Sequence, residues 1–142
     1  MSEAIREAAP LPLIGASAQR TRALTDDAVA LFALTSGDEN PIHLDEDYAA
    51  RSPFGRRIAH GMLTASLISA VLGNDLPGHG SIYLSQSLRF VAPVFIGDTI
   101  TARVEVVATR AEKRLVTLRT ECFNQDGVVV VTGEALVKYP GE

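Results

Sequence analysis

The sequence has a single cysteine and no excess of basic residues. Cys122 alone can form neither an intramolecular disulfide nor a cysteine-rich metal site, and its place in a strand-like run predicts a small apolar core residue. Thirteen Lys and Arg against seventeen Asp and Glu leave a net charge of −4. No basic stripe is therefore available to neutralise phosphates, which argues against nucleic acid as the main partner.

Long apolar runs are also missing. No run approaches the roughly 20 residues that cross a membrane, and the acidic first residues, 1–7, lack the apolar core of a signal sequence. These absences predict a cytoplasmic protein that does not enter the membrane. What remains is ordinary for one globular domain: 142 residues, 46% hydrophobic and 21% charged. Pro10 and Pro12 favour extended chain, so we expect a flexible N-terminal arm over 1–12 and a domain over 13–142.

Helix signals occupy the first half of the chain. Thr25 before two aspartates is a natural N-cap, and the helix that follows should end by Ser36 and Gly37. Asp38 to Pro41 is predicted as an irregular loop, followed by a short helix over 45–51 and a turn at 52–55. The longest helix should begin at Ile58 or Ala59 and end at Leu72, with apolar side chains around so much of its circumference that it should be buried.

Strand signals dominate the second half. A short strand is predicted over 17–23, and period-two alternation predicts half-buried strands over 82–90 and 100–106, with further strands over 115–123 and 128–139. This order indicates an α+β domain in which a curved antiparallel sheet wraps a long central helix. Because such a sheet leaves one edge open, we expect a homodimer that continues it.

Polar residues are densest in the loop ahead of the long helix. Asp38 and His43 lie five residues apart around Pro41, and in a bent loop their side chains can converge. A carboxylate beside an imidazole is a general acid–base pair. The structural alternative is that Asp38 caps a turn and His43 is an ordinary, partly buried histidine.

Gly61 stands where the long helix begins. Free N–H groups at a helix N-terminus stabilise developing negative charge, and a glycine lets a ligand approach its N–H closely. Alternatively, Gly61 is only a packing glycine. A metal site of His43, Asp45 and His60 is a weaker possibility, because the usual cysteine or His-Glu-x-x-His patterns are missing.

These residues resemble a known family, the MaoC-like (R)-specific enoyl-CoA hydratases. The similarity is to the short single-domain members, which include enzymes that feed polyhydroxyalkanoate synthesis, and it spans about residues 24–137. The matching stretches are SGDENPIHLD (36–45), FG (54–55), IAHGML (58–63), GSIYLSQSLRF (80–90) and PVFIGD (93–98).

The resemblance implies the hot-dog fold, and it assigns roles to particular residues. Asp38 and His43 match the catalytic pair, Gly61 the oxyanion glycine and Ser69 a pocket serine of the short members. We also assign Asn40 and Met62 to substrate binding. The implied reaction is reversible syn hydration of a trans-2-enoyl-CoA to an (R)-3-hydroxyacyl-CoA, with no cofactor and no metal, because the thioester itself acidifies the α-carbon.

Two other functions remain open at this point. A hot-dog thioesterase would use a carboxylate and a helix-end oxyanion site to hydrolyse the thioester, whereas a binding subunit would hold acyl-CoA without reaction. The spacing from Asn40 to His43 favours hydration, and the intact Asp38 and His43 pair argues against a binding subunit. Arg56, Arg57 and Arg89 are candidates for the CoA phosphates.

Overall fold

The computed structural model describes residues 8–140, which contain five strands, four α-helices and a one-turn 3₁₀ helix at Ala111–Lys113. The strands are β1 (Ser17–Ala23), β2 (Ile82–Phe90), β3 (Thr99–Arg110), β4 (Leu115–Phe123) and β5 (Val129–Lys138). The helices are α1 (Asp26–Ser36), α2 (Pro41–Leu44), α3 (Glu46–Ala50) and α4 (Gly61–Asn74). Within residues 8–140 no helix has the length and apolarity that a membrane crossing needs.

The ends of α1 are where the sequence predicts them. The Thr25 side chain accepts the N–H of Ala28, and Gly37 ends the helix with a left-handed φ of 80°, which a residue with a side chain rarely adopts. The loop predicted from Asp38 to Pro41 is one residue shorter than expected, because Pro41 is the first residue of α2. Proline is favoured there, since the first N–H of a helix has no partner within the helix.

The predicted start of the long helix is wrong by two or three residues. Ile58 pairs with Phe95 in an isolated β-bridge, and the N–H of Ala59 donates to the Val94 carbonyl at 2.7 Å. These bonds hold the two residues in extended conformation, so that His60 becomes the N-cap and Gly61 the first residue of α4.

The strands form one antiparallel sheet in the order β1-β3-β4-β5-β2. Register shifts in the β2–β5, β3–β4 and β4–β5 pairs mark bulges, which bend strands and curve the sheet. α4 packs against β3, β1 and β4. The layers meet in a core that includes Leu63, Ile68, Val71 and Leu72 from α4, and Ile100, Ala102, Val104, Val106, Val116, Leu118 and Cys122 from the sheet. This is the predicted α+β hot-dog arrangement.

Two apolar segments are more exposed than their patterns predict. The stripe of α4 that carries Met62 and Ser69 is exposed, with Met62 at 56%. Strand β2 is predicted to be half-buried, but Ile82, Leu84 and Phe90 are each about half exposed, and only Leu88 packs on the core. The physical reason is position, since β2 is the last strand of the sheet and, within residues 8–140, has a neighbouring strand on one side only.

The predicted N-terminal arm lies partly outside the described residues, which exclude 1–7. Of its remainder, Leu11 packs against the core and the Ala9 carbonyl accepts a hydrogen bond from the Arg114 guanidinium. The boundary at residue 12 stays a prediction.

Candidate active site

The turn after α1 is held by side-chain to backbone hydrogen bonds. The N–H of Asp38 donates to Ser36 Oγ (3.1 Å), and the N–H of Asn40 donates to Asp38 Oδ1 (3.2 Å). Asn40 Oδ1 then accepts the N–H of Ile42 and caps α2. Such local bonds are why Asp and Asn favour turns, and here they bring Asp38 and His43 to the same side of the loop, where both line one cavity.

His43 is oriented by a backbone carbonyl. Its side chain is buried, and Nδ1 lies 2.7 Å from the Ile58 carbonyl oxygen. Because a carbonyl oxygen only accepts, we infer that Nδ1 carries the proton and that neutral His43 keeps a lone pair on Nε2. The second nitrogen is thus available as a base.

The environment of His43 favours its neutral form. Burial lowers the pKa of His43 below its ordinary value of 6.5, and the nearby His60 ring lowers it further. The hydrogen bond to Ile58 and the Asp38 carboxylate act in the opposite direction but are outweighed. A neutral imidazole at neutral pH can accept a proton, which suits a general base.

Asp38, His43 and His60 form a close cluster. A carboxylate oxygen of Asp38 and one ring nitrogen from each histidine lie within 4.8 Å of one another. The two imidazole rings stack, with 3.9 Å between centroids and 31° between planes. Stacked rings do not direct their lone pairs at one point, and each has a nitrogen bonded to a backbone carbonyl. This arrangement suits proton transfer better than a shared metal ion.

Asp45 is placed elsewhere. Its Oδ1 accepts the N–H of Tyr48 at 3.0 Å and caps α3. The sequence-based alternative of a metal site that includes Asp45 is therefore not the cluster that the structure assembles, which pairs the two histidines with Asp38.

The cluster opens into a cavity of about 500 Å³. Asp38, His43, His60 and Thr64 supply the polar side chains of its lining, and the other lining side chains are apolar, as expected of a site for a molecule with an apolar chain. The lining residues are Asp38, His43, Phe54, Ile58, Ala59, His60, Gly61, Met62, Thr64, Phe90, Val91, Ala92, Pro93, Val94, Val130 and Val131.

Gly61 presents its backbone to this cavity. As the first residue of α4 it has no helical acceptor for its N–H, and among residues 8–140 no hydrogen bond from that N–H is found. A Cβ at this position would come within 2.8 Å of the Phe90 ring. The absence of a side chain therefore lets the Phe90 ring pack against Gly61 where both line the cavity. This supports the packing role considered from sequence, and the oxyanion role stays a prediction.

The three predicted substrate-binding residues are placed differently. Met62 lines the cavity beside Gly61. Asn40 caps α2 and lines a neighbouring cavity with Tyr48 and Arg51 rather than the one that holds Asp38. Ser69 lies two turns along α4, exposed on the protomer surface and outside that cavity. Roles in substrate binding stay predictions for all three residues.

The candidate arginines also separate. The Arg57 guanidinium already has partners within the protomer. Its Nε donates to the His43 carbonyl (2.7 Å), and Nη2 pairs with the Asp26 carboxylate (2.7 Å). Arg56 lies over the Phe95 ring, 3.8 Å from the centroid. Arg89 is exposed on β2. Arg57 is therefore the least suited of the three to bind CoA phosphates.

His60, Phe54 and Phe90 line the site although sequence analysis gave them no role in catalysis. His60 entered only as a possible metal ligand, and its position beside Gly61 was the signal that could have drawn attention to it. Phe90 lies 29 residues beyond Gly61, and no local pattern connects the two.

Comparison with known proteins agrees with this fold. Residues 13–125 match the family described as MaoC like domain. The chain is 53% identical over 127 residues to the (R)-specific enoyl-CoA hydratase of Aeromonas caviae, covering 89% of this chain and 95% of that protein. It is 52% identical over 126 residues to the enzyme of the same name from Rhodospirillum rubrum, covering 89% and 87%.

A solved structure gives the same result in three dimensions. The (R)-hydratase from A. caviae involved in PHA biosynthesis superposes with a TM-score of 0.90 at 52% identity, covering 93% of this chain and all of that one. The fold, the match over most of the chain and the loop that carries Asp38 and His43 point the same way: this chain belongs to the MaoC-like domain family.

Proposed function

We propose that the protein catalyses reversible hydration of trans-2-enoyl-CoA to (R)-3-hydroxyacyl-CoA. The observation that carries the proposal is the convergence of the Asp38 carboxylate, the His43 imidazole and the free Gly61 N–H on one apolar-walled cavity. An acid–base pair beside an oxyanion donor is what water addition to a conjugated thioester requires. The names of the relatives at 52–53% identity support the same reaction.

The roles follow from the chemistry of the addition. A water held between Asp38 and His43 loses a proton to one of them as its oxygen bonds to the β-carbon. The electron pair of the double bond moves to the thioester oxygen, where the Gly61 N–H stabilises the enolate. A proton delivered to the α-carbon on the same face completes a syn addition, so that the elements of water are added without oxidation or reduction.

Hydration is favoured over the two other functions. The chain has the Asn40-Pro41-x-His43 arrangement of the hydratase motif, and relatives with high identity are hydratases rather than thioesterases. A subunit that only binds acyl-CoA has no need of a neutral His43 facing Asp38. We also propose that the protein acts in the cytoplasm and supplies (R)-3-hydroxyacyl-CoA as a monomer for polyhydroxyalkanoate synthesis. The A. caviae relative, which is described as involved in PHA biosynthesis, supports this role.

The test is an assay of purified protein with crotonyl-CoA. We expect loss of the conjugated-enoyl absorbance and formation of (R)-3-hydroxybutyryl-CoA, identified by chiral analysis. Butyryl-CoA with a thiol reagent is the matched control, because it has no double bond to hydrate. Release of free CoA from butyryl-CoA, with no change in the enoyl absorbance, would replace hydration by the thioesterase reaction.

The pKa of His43 predicts the pH dependence. Because burial lowers that pKa below 6.5, neutral His43 persists to more acidic pH than an ordinary histidine. We expect kcat/KM for crotonyl-CoA to decrease along an acidic limb whose midpoint lies below pH 6.5, as Nε2 becomes protonated. Initial rates across pH 5 to 8 measure this. An acidic limb with its midpoint above pH 6.5 would contradict the assignment of His43.

We propose a homodimer that continues the sheet through β2. Its unpaired edge carries the half-exposed apolar residues Ile82, Leu84 and Phe90, and exposed Met62 on α4 adds further apolar surface. An apolar edge strand left open is a site of aggregation unless another chain covers it. Light scattering should therefore give about twice the protomer mass of 15.1 kDa, and replacing Leu84 with lysine should shift the mass toward one protomer. A monomer in the unsubstituted protein would contradict the dimer.

A further inference from the structure

His60 is buried in the middle of the site, yet the reaction described above does not use it. Its side chain is 2% exposed, and Nε2 lies 3.0 Å from the backbone carbonyl oxygen of Asp38. One face of the ring stacks on His43, and the ring also contacts Phe32, with 4.8 Å between centroids. One side chain thus touches both members of the acid–base pair.

The second ring nitrogen of His60, Nδ1, indicates that the residue does more than fill space. A carbonyl oxygen only accepts, so Nε2 must carry the proton, and Nδ1 is left as an acceptor. Nδ1 is buried and has no hydrogen-bond partner among residues 8–140. An unpartnered buried polar atom is unfavourable, and an apolar ring would fill the same space without that cost. The hydrogen bond from Nε2, on the other side of the ring, to the Asp38 carbonyl offsets the cost of burying Nδ1 without a partner.

That bond completes the attachment of the Asp38 peptide. The N–H of Asp38 is held by Ser36 Oγ, in the same turn, and its carbonyl is held by His60, 22 residues further along the chain. The neighbouring residues of His60 hold His43 in the same manner, since the Ile58 carbonyl accepts from Nδ1 and Arg57 donates to the His43 carbonyl. Residues 57–60 therefore hold both Asp38 and His43 in place through contacts with the loop that carries them.

We propose that His60 is a positioning residue: by donating Nε2–H to the Asp38 carbonyl and stacking on His43, it holds the carboxylate and the imidazole at the distance that water addition needs. The inference rests on the proposed hydratase reaction, in which Asp38 and His43 transfer protons. A displacement of about 1 Å in a reacting group can cost roughly 100-fold in rate. The loss should therefore fall on kcat rather than on substrate binding.

The test compares two substitutions of His60 in the full chain with crotonyl-CoA. His60→Phe keeps a ring but loses the donor, and we expect kcat to fall about 100-fold with KM within about threefold of the unsubstituted value. His60→Gln keeps an N–H at a similar reach and should recover kcat to within about tenfold. A residue that only filled space would show no such recovery by glutamine.

Phe32→Leu is the matched control. Phe32 contacts the same ring, but it makes no hydrogen bond to Asp38 and does not line the cavity. Its loss should lower the melting temperature while kcat stays within about twofold, because the bond from His60 to Asp38 is retained. Each variant is assayed well below its melting temperature, so that the rate refers to folded protein.

The outcomes separate cleanly. If the unsubstituted protein does not hydrate crotonyl-CoA, the proposed function fails. If the unsubstituted protein does hydrate crotonyl-CoA and His60→Phe retains its kcat, the positioning role is wrong. It is also wrong if His60→Phe, His60→Gln and Phe32→Leu lose equal activity. Equal losses in His60→Phe and His60→Gln with an active Phe32 variant also overturn it. Should His60→Phe not fold, His60→Asn replaces it, since its amide is one methylene too short to reach Asp38, and a kcat equal to that of His60→Gln would refute the inference.

Discussion

Replacing Asp38 with asparagine is expected to lower kcat for crotonyl-CoA hydration by about 10²- to 10⁴-fold, the range for loss of a positioned acid or base. Asparagine has nearly the same shape but cannot exchange a proton with water or with the α-carbon. The fold should be unaffected, because Asp38 is exposed, and the one hydrogen bond that its carboxylate accepts within residues 8–140, from the N–H of Asn40, can be accepted by an amide oxygen.

Glu39→Gln provides the control for charge. Glu39 is exposed and adjacent in the chain, so this substitution removes one negative charge from the same loop without touching the proposed acid–base pair. We expect its kcat to stay within about twofold, in keeping with the small effects of most exposed substitutions. Initial rates and melting temperatures of both variants decide the question. An Asp38→Asn protein that hydrates at a near-normal rate refutes the catalytic assignment.

The second large effect is expected at Gly61. Replacement by proline removes the backbone N–H that we propose as the oxyanion donor, and loss of one such donor costs about 2.7–4 kcal/mol of barrier, or roughly 10²- to 10³-fold in kcat. The backbone tolerates this change. Gly61 is the first residue of α4, where proline is common, and His60 before it has φ −58° and ψ 135°, a conformation that precedes proline without strain.

Gly61→Ala separates the effect of losing the N–H donor from the steric effect of adding a Cβ. Both alanine and proline add a Cβ that meets the Phe90 ring, about 2.8 Å away, so both substitutions crowd that ring in the same way. Only proline also removes the donor. We therefore expect kcat of the proline variant to lie roughly 10²- to 10³-fold below that of the alanine variant. Equal rates would show that Gly61 serves packing alone.

The pattern of exposure connects the proposed dimer with the site. Phe90 contributes to the cavity wall and also to the open apolar edge of β2, while Met62 lines the cavity and is 56% exposed. A partner that covers β2 would therefore also complete one side of the cavity. On this proposal, substitutions at the edge that separate the protomers should lower hydratase activity as well as mass.

Much of the local structure could be read from the sequence. Thr25 and Gly37 set the ends of α1 through hydrogen bonds and a left-handed turn within a few residues, so no distant contact is needed to predict them. The alternation of Ile100, Ala102 and Val104 with polar residues predicted a strand with one buried face, and all three are fully buried. Local interactions decide these features because their partners lie nearby in the chain.

The proposed acid–base pair could also be predicted in part from sequence, because its two residues lie close together in the chain. Asp38 and His43 share one turn of chain, so their spacing alone allowed a prediction that they could converge. The resemblance of residues 36–45 and 58–63 then indicated the family, which the comparisons confirm. Spacing could not distinguish a catalytic aspartate from a turn cap. In the structure one carboxylate oxygen of Asp38 accepts the N–H of Asn40, and this bond is compatible with the proposed catalytic role because the carboxylate also lies beside His43.

Only the tertiary structure decided which groups surround that pair. The sequence could not show that the Ile58 carbonyl selects the tautomer of His43, that His60 holds the Asp38 carbonyl, or that Phe90 lies against Gly61. It also misjudged β2, whose pattern predicts a half-buried strand although its place at the end of the sheet leaves it open. Local patterns determined most of the elements and the polar loop, and the resemblance of residues 36–45 and 58–63 to a known family indicated the family. The partners of each group depend on strand order and on how the 57–60 segment packs across the loop, and these arise only when residues distant in sequence are buried together.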